Sequence, residues 1–172
     1  TTEIYTLSLH DALPILSGRT LYVTDIDSLH AIDIKTGKVL KTYSVSGARF
    51  LNDIAVGPDG SVYISDMETN RLHFLRDGAV RLWLELKGYQ KANGLCLDGG
   101  ALYVGTAQGV LKIDTATRAV ALEVPHAEGI DGLRAYAGGF IISDWKGKTE
   151  LIGKRKAPVV LIDTTAEKVN AA

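Results

Sequence analysis

Three short stretches carry an amide or a carboxylate at nearly equal intervals. They are Asn52-Asp53 within Phe50-Leu51-Asn52-Asp53-Ile54, Asn93-Gly94 within Ala92-Asn93-Gly94-Leu95, and Asp131-Gly132 within Ile130-Asp131-Gly132-Leu133. Asn170 follows in Val169-Asn170-Ala171, so positions 52, 93, 131 and 170 are spaced by 41, 38 and 39 residues. Amide and carboxylate oxygens are the donors preferred by hard cations, and calcium takes roughly 6–8 of them, waters included. A glycine after the polar residue lets backbone approach such a site closely. The competing reading is that Asn-Gly and Asp-Gly are turn dipeptides between strands. Apolar strand residues flank each instance at a common phase, which favours convergence on one point.

Convergence requires a repeated element. Leu21-Tyr22-Val23-Thr24-Asp25, Val62-Tyr63-Ile64-Ser65-Asp66, Leu102-Tyr103-Val104-Gly105-Thr106 and Phe140-Ile141-Ile142-Ser143-Asp144 align with periods of 41, 40 and 38 residues. A glycine-containing turn precedes each one, such as Gly57-Pro58-Asp59-Gly60 or Asp98-Gly99-Gly100. A further strand follows each, for example Arg71-Leu72-His73-Phe74-Leu75, and tight turns lead to a fourth, as in Val80-Arg81-Leu82-Trp83. Short strands with turns roughly every ten residues, repeating near 40, describe the four-stranded blade of a β-propeller. A sandwich would not need to repeat in sequence, and helical periodicity is absent. The expectation is an all-β partial propeller of about four blades. A six-bladed ring at this period needs about 240 residues. The innermost strands line the axis, so the Asn/Asp series faces the channel.

The first fifteen residues read differently. Thr6-Leu7-Ser8-Leu9-His10-Asp11-Ala12-Leu13-Pro14-Ile15 back-translates as a widely used sequencing-adapter oligonucleotide, and Glu3-Ile4-Tyr5 continues it upstream. Residues 1–15 are therefore expected to be a non-native, adapter-derived segment. Residues 16–172 are expected to be a propeller domain truncated at both ends.

The series Asn52-Asp53, Asn93-Gly94 and Asp131-Gly132, with Ser143-Asp144-Trp145 behind it, resembles the regucalcin/gluconolactonase family of the senescence marker protein type. The resemblance covers residues 16–172. It implies a six-bladed propeller with a divalent metal in its channel, calcium first, with zinc, magnesium or manganese as alternatives. It also implies hydrolysis of a small-molecule sugar lactone. Carried over, Asn93 and Asp131 are metal ligands and Asn52 lines the substrate side. Asp131 or Asp53 would orient or deprotonate water. The family's remaining ligand is a Glu from an N-terminal blade that this chain lacks, and Glu128 stands outside the blade phase. The lactonase is therefore expected to be inactive as this fragment.

A second reading comes from Leu21-Tyr22-Val23-Thr24-Asp25 and Lys112-Ile113-Asp114-Thr115-Ala116-Thr117, which look like YVTN/NHL-type repeats of non-catalytic binding or scaffold propellers. A strictosidine-synthase-like propeller shares the fold but wants a catalytic Glu that finds no place here.

Other signals carry less. With Lys+Arg 19 against Asp+Glu 20, no charge excess argues for nucleic acid or an anionic membrane. No apolar stretch approaches the ~20 residues of a span. Cys96, alone, suits core packing. Gly147-Lys148-Thr149 lacks the earlier glycine of a phosphate loop, and no Gly-x-Ser-x-Gly elbow occurs. His30, His73 and His126 match no zinc spacing and read as structural. Trp83 and Trp145 read as strand residues packing between blades. The run Lys146, Lys148, Lys154, Arg155, Lys156 reads as a solvated face. Compartment and oligomeric state are not encoded in these features.

Overall fold

The computed structural model describes residues 14–154 and 156–167. Among the described residues, sixteen strands form four separate four-stranded antiparallel sheets, each a meander in chain order. The first sheet holds β1 (Ile15–Ser17), β2 (Thr20–Asp25), β3 (Ser28–Asp33) and β4 (Lys38–Ser44). In the second stand β5 (Leu51–Val56), β6 (Val62–Asp66), β7 (Arg71–Arg76) and β8 (Ala79–Glu85). The third comprises β9 (Leu95–Asp98), β10 (Ala101–Thr106), β11 (Gly109–Asp114) and β12 (Val120–Pro125). The last is β13 (Leu133–Tyr136), β14 (Gly139–Ser143), β15 (Lys148–Gly153) and β16 (Lys156–Asp163), followed by a 3-10 turn at Thr165–Glu167. The four repeats are thus four blades of a partial β-propeller. No helix among the described residues is long and apolar enough to cross a membrane. Residues 1–13 and Asn170 lie outside the described residues. Ile15, the last residue of the segment read as adapter, pairs with Tyr22 in β1.

In the second blade, which has a blade on either side, the second strand β6 is buried along its whole length because both of its faces are covered. In β6, Val62 and Ile64 join a cluster with Leu29 and Leu51 toward the first blade. Tyr63, between them, turns to the third blade and clusters with Trp83, Leu102 and Val104. One period on, Tyr103 packs on the cluster of Val110, Phe140 and Ile142 toward the fourth blade. Side chains one residue apart in a strand point to opposite faces, so one strand seals two junctions. Trp83 meets Tyr63 edge-on, with ring centroids 5.0 Å apart, and Arg118 lies over its ring. This is the inter-blade packing expected for it.

Trp145 departs from that expectation. β14 ends at Ser143, because the Asp144 carboxylate accepts the N–H groups of Lys146 and Lys148, each at 2.9 Å, and turns the chain. Trp145 therefore sits on a turn, 37% exposed. The basic run is not uniformly solvated either. The Lys148 side chain is only 24% exposed and Lys154 pairs with Glu123 at 2.8 Å.

Candidate functional site at the channel end

The innermost strands β1, β5, β9 and β13 are neighbours in turn, as a channel lining requires. At one end of these strands the regular ladder stops at the polar residues of the series. In the second blade, Leu51 opposes Asp66 and the next pair is Ile54 with Ile64, so Asn52 and Asp53 form an irregularity inside β5. Such a bulge re-aims side chains. In the third and fourth blades the equivalent residues precede the strand. Asn93 N donates to Gly105 O at 2.9 Å, and Asp131 N donates to Ser143 O at 2.8 Å. Ser65 and Ser143 hydroxyls accept the next N–H, from Asp53 and Gly132. Gly94 is required here, because a Cβ would collide with the Asp131 carbonyl and crowd Leu133.

Links between successive blades run through these residues. Thr24 Oγ1 donates to the Asn52 carbonyl, joining the first blade to the second. Leu95 N donates to Asp53 Oδ2 at 2.6 Å, joining second to third. Asn93 Nδ2 donates to Asp131 Oδ1 at 2.9 Å, joining third to fourth. All four side chains are buried: Asn52 0%, Asp53 7%, Asn93 3% and Asp131 3% exposed.

Two features exceed what packing needs. Neither polar atom of the Asn52 amide has a protein partner, nor does Asn93 Oδ1. Buried polar atoms are almost always satisfied, so orphans at one phase point to a water, an ion or a ligand. Such an oxygen is chemically suited to a hard cation beside the Asp131 carboxylate. Burial pushes the Asp53 carboxyl up to about 7, and the Asp131 charge adds to this. Hydrogen bonds from Leu95 N and Ile54 N, and the Arg134 charge, pull the other way without cancelling the desolvation.

Beside Asn93, a cavity of about 370 Å³ opens at the channel mouth, lined by Met67, Lys91, Glu128, Asp144, Trp145 and Lys146 among others. Next to it His126, Glu128 and Glu150 each offer a ligand atom, all within 4.8 Å of one another. This is a candidate metal-binding cluster, and sequence reading passed over it. His126 and Glu128 adjoin the end of β12, while Glu150 comes from β15 of the next blade, a juxtaposition that only the blade junction creates.

The family model described as outer membrane protein assembly factor BamB (PQQ_2) matches residues 3–122. The chain belongs to that family. Among curated proteins no match is found. Solved structures resemble this BamB-type propeller in fold. Virginiamycin B lyase from Staphylococcus aureus is 18% identical with a TM-score of 0.68, the alignment covering 87% of this chain and 55% of that one. A nidogen/laminin complex is 16% identical with a TM-score of 0.65, covering 90% and 59%. The computationally designed Ika4 protein is 15% identical with a TM-score of 0.62, covering 86% and 95%. The chain therefore spans little more than half the length of the lyase. At such identities the likeness is one of fold. The family established is the BamB-type propeller, and the gluconolactonase resemblance rests on the site residues alone.

Proposed function

We propose that this chain is part of a calcium-dependent hydrolase of sugar lactones, with its site at the channel end. The observation that supports the reading most is the Asn93–Asp131 pair, buried and bonded at 2.9 Å while Asn93 Oδ1 has no partner. A divalent cation held by Asn93 Oδ1 and the Asp131 carboxylate would supply Lewis-acid polarisation of the lactone carbonyl. The Asn52 amide, fully buried with neither polar atom partnered, is the substrate-side residue that the resemblance implies. Of the two acids, Asp131 takes the proton of the attacking water and returns it to the ring oxygen as the acyl C–O bond breaks. Asp53 has both oxygens occupied by Ile54 N and Leu95 N, so it ties the second blade to the third and does not take the proton. The test is a pH-stat assay of lactone opening by the complete ring, with and without chelator. The reading expects chelator-sensitive opening that falls at least ~100-fold in Asp131→Asn, within the range for loss of a general base. Unchanged rates in that variant would overturn it.

A second reading is a non-catalytic binding propeller. Membership of the BamB-type family favours it, and so does the mutual satisfaction of Asn93 Nδ2 and Asp131 Oδ1, which needs no ion. It predicts no lactone opening under any metal.

A further inference from the structure

We propose that His126, Glu128 and Glu150 form a second cation site, distinct from the Asn93–Asp131 pair, which takes an imidazole-binding d-block ion such as Zn²⁺ at the junction of the third and fourth blades. Ligand chemistry sets the class of metal. One imidazole and two carboxylates suit zinc, whereas calcium takes oxygen ligands alone.

Geometry supports the assignment. His126 Nε2 lies 3.6 Å from Glu150 Oε2, and both side chains are 10% exposed. That separation is too long for a good hydrogen bond. It is close to the ~3.3 Å between two ligands on one tetrahedral zinc with bonds near 2.0–2.1 Å. A carboxylate this buried ordinarily takes hydrogen bonds, yet Glu150 faces the imidazole across a gap of ion-sharing length. Backbone fixes both partners. His126 N donates to Gln108 O at 3.2 Å, and the β15 register shifts between Thr149 and Glu150, which aims the Glu150 side chain. Glu128, with its side chain 40% exposed, is the third ligand and borders the mouth cavity, which has room for water ligands.

A cation already occupies part of this position. Lys148 Nζ stands 3.6 Å from Glu128 Oε2. With Lys148 counted and the imidazole neutral, the trio keeps one net negative charge, and the adjoining cavity wall carries Asp144 together with Lys91 and Lys146. Lys148 is thus a built-in competitor: zinc must displace one ammonium from one carboxylate.

Zn²⁺ titration of the metal-stripped chain by calorimetry tests this, read alongside imidazole nitrogen resonances of its four histidines. We expect one Zn²⁺ bound with the His126 Nε2 resonance shifted. Affinity should fall at least tenfold in His126→Ala and rise severalfold in Lys148→Met, and Asn93→Ala should leave it unchanged. The resonance reads the unaltered protein, so it decides the matter even where a variant fails to fold. An unmoved His126 resonance, or Zn²⁺ affinity that follows Asn93 and ignores His126, overturns the proposal.

Discussion

Asn93 Nδ2 donates to Asp131 Oδ1 at 2.9 Å across the junction of the third and fourth blades, joining two residues 38 positions apart. The bond is short-range geometry produced by a long-range repeat: each residue sits at the same point of its own blade, and rotation about the axis brings them together. It also depends on Gly94, which lets the third blade approach the Asp131 carbonyl.

Gly94→Ala should therefore act on two things at once. The added methyl would meet the Asp131 carbonyl and Leu133, forcing the blades apart at a cost of about 1–3 kcal/mol. Urea denaturation gives the stability, and amide resonances of Asn93 and Asp131 should shift in the same variant. Unchanged stability would mean that the close approach is not real.

Asp53 should make stability depend on pH. Its carboxyl is raised from 3.8 to about 7 in the fold. Between those values the unfolded chain has lost a proton that the folded chain keeps, so stability falls as pH rises, and levels off above about 7. Urea midpoints of the wild type and Asp53→Asn, compared from pH 4 upward, isolate this term. The wild type should lose stability relative to the variant through that window. Parallel profiles would show that the hydrogen bonds from Leu95 and Ile54 keep Asp53 ionised.

Asp66 behaves oppositely. It is fully buried and accepts N–H groups from Arg49, Phe50, Glu68 and Thr69. Burial opposes its charge, but the His73 ring beside it and the backbone N–H groups of Thr69 and Arg49 outweigh this and hold its carboxyl well below the usual range. Asp66→Ala would leave those donors without an acceptor. It should destabilise the chain by about 3 kcal/mol or more at neutral pH, with less difference as acid protonates the wild-type carboxylate. Thermal melts at two pH values check both parts.

Trp83→Ala removes one ring from the Tyr63–Phe74–Trp83 cluster and the surface on which Arg118 rests. A loss of about 3–5 kcal/mol is expected from the cavity, against under ~1 for Arg118→Ala, whose contact is at the surface edge. Similar losses in the two variants would contradict this division.

The blades were legible because every one repeats the same apolar run after a glycine turn, and the Tyr63 and Tyr103 positions face the next blade as their phase requires. Asn52, Asn93 and Asp131 were legible for the same reason. The bulge at Asn52-Asp53 was not, since β5 reads as an ordinary apolar strand until Ser65 captures the freed N–H. The His126–Glu128–Glu150 cluster was hidden because Glu150 follows 22 residues after Glu128 on another blade, outside any ligand spacing. Trp145 was misread because a single carboxylate, Asp144, ends the strand one residue before it.

The lactonase proposal rests on a hard divalent cation held between Asn93 and Asp131 at the channel end. Calorimetric Ca²⁺ titration of the metal-stripped chain tests it most directly, with Asp131→Asn and His126→Ala as comparisons. One Ca²⁺ should bind, with binding lost in Asp131→Asn and kept in His126→Ala. Absence of binding, or binding that Asp131→Asn leaves intact, would contradict it.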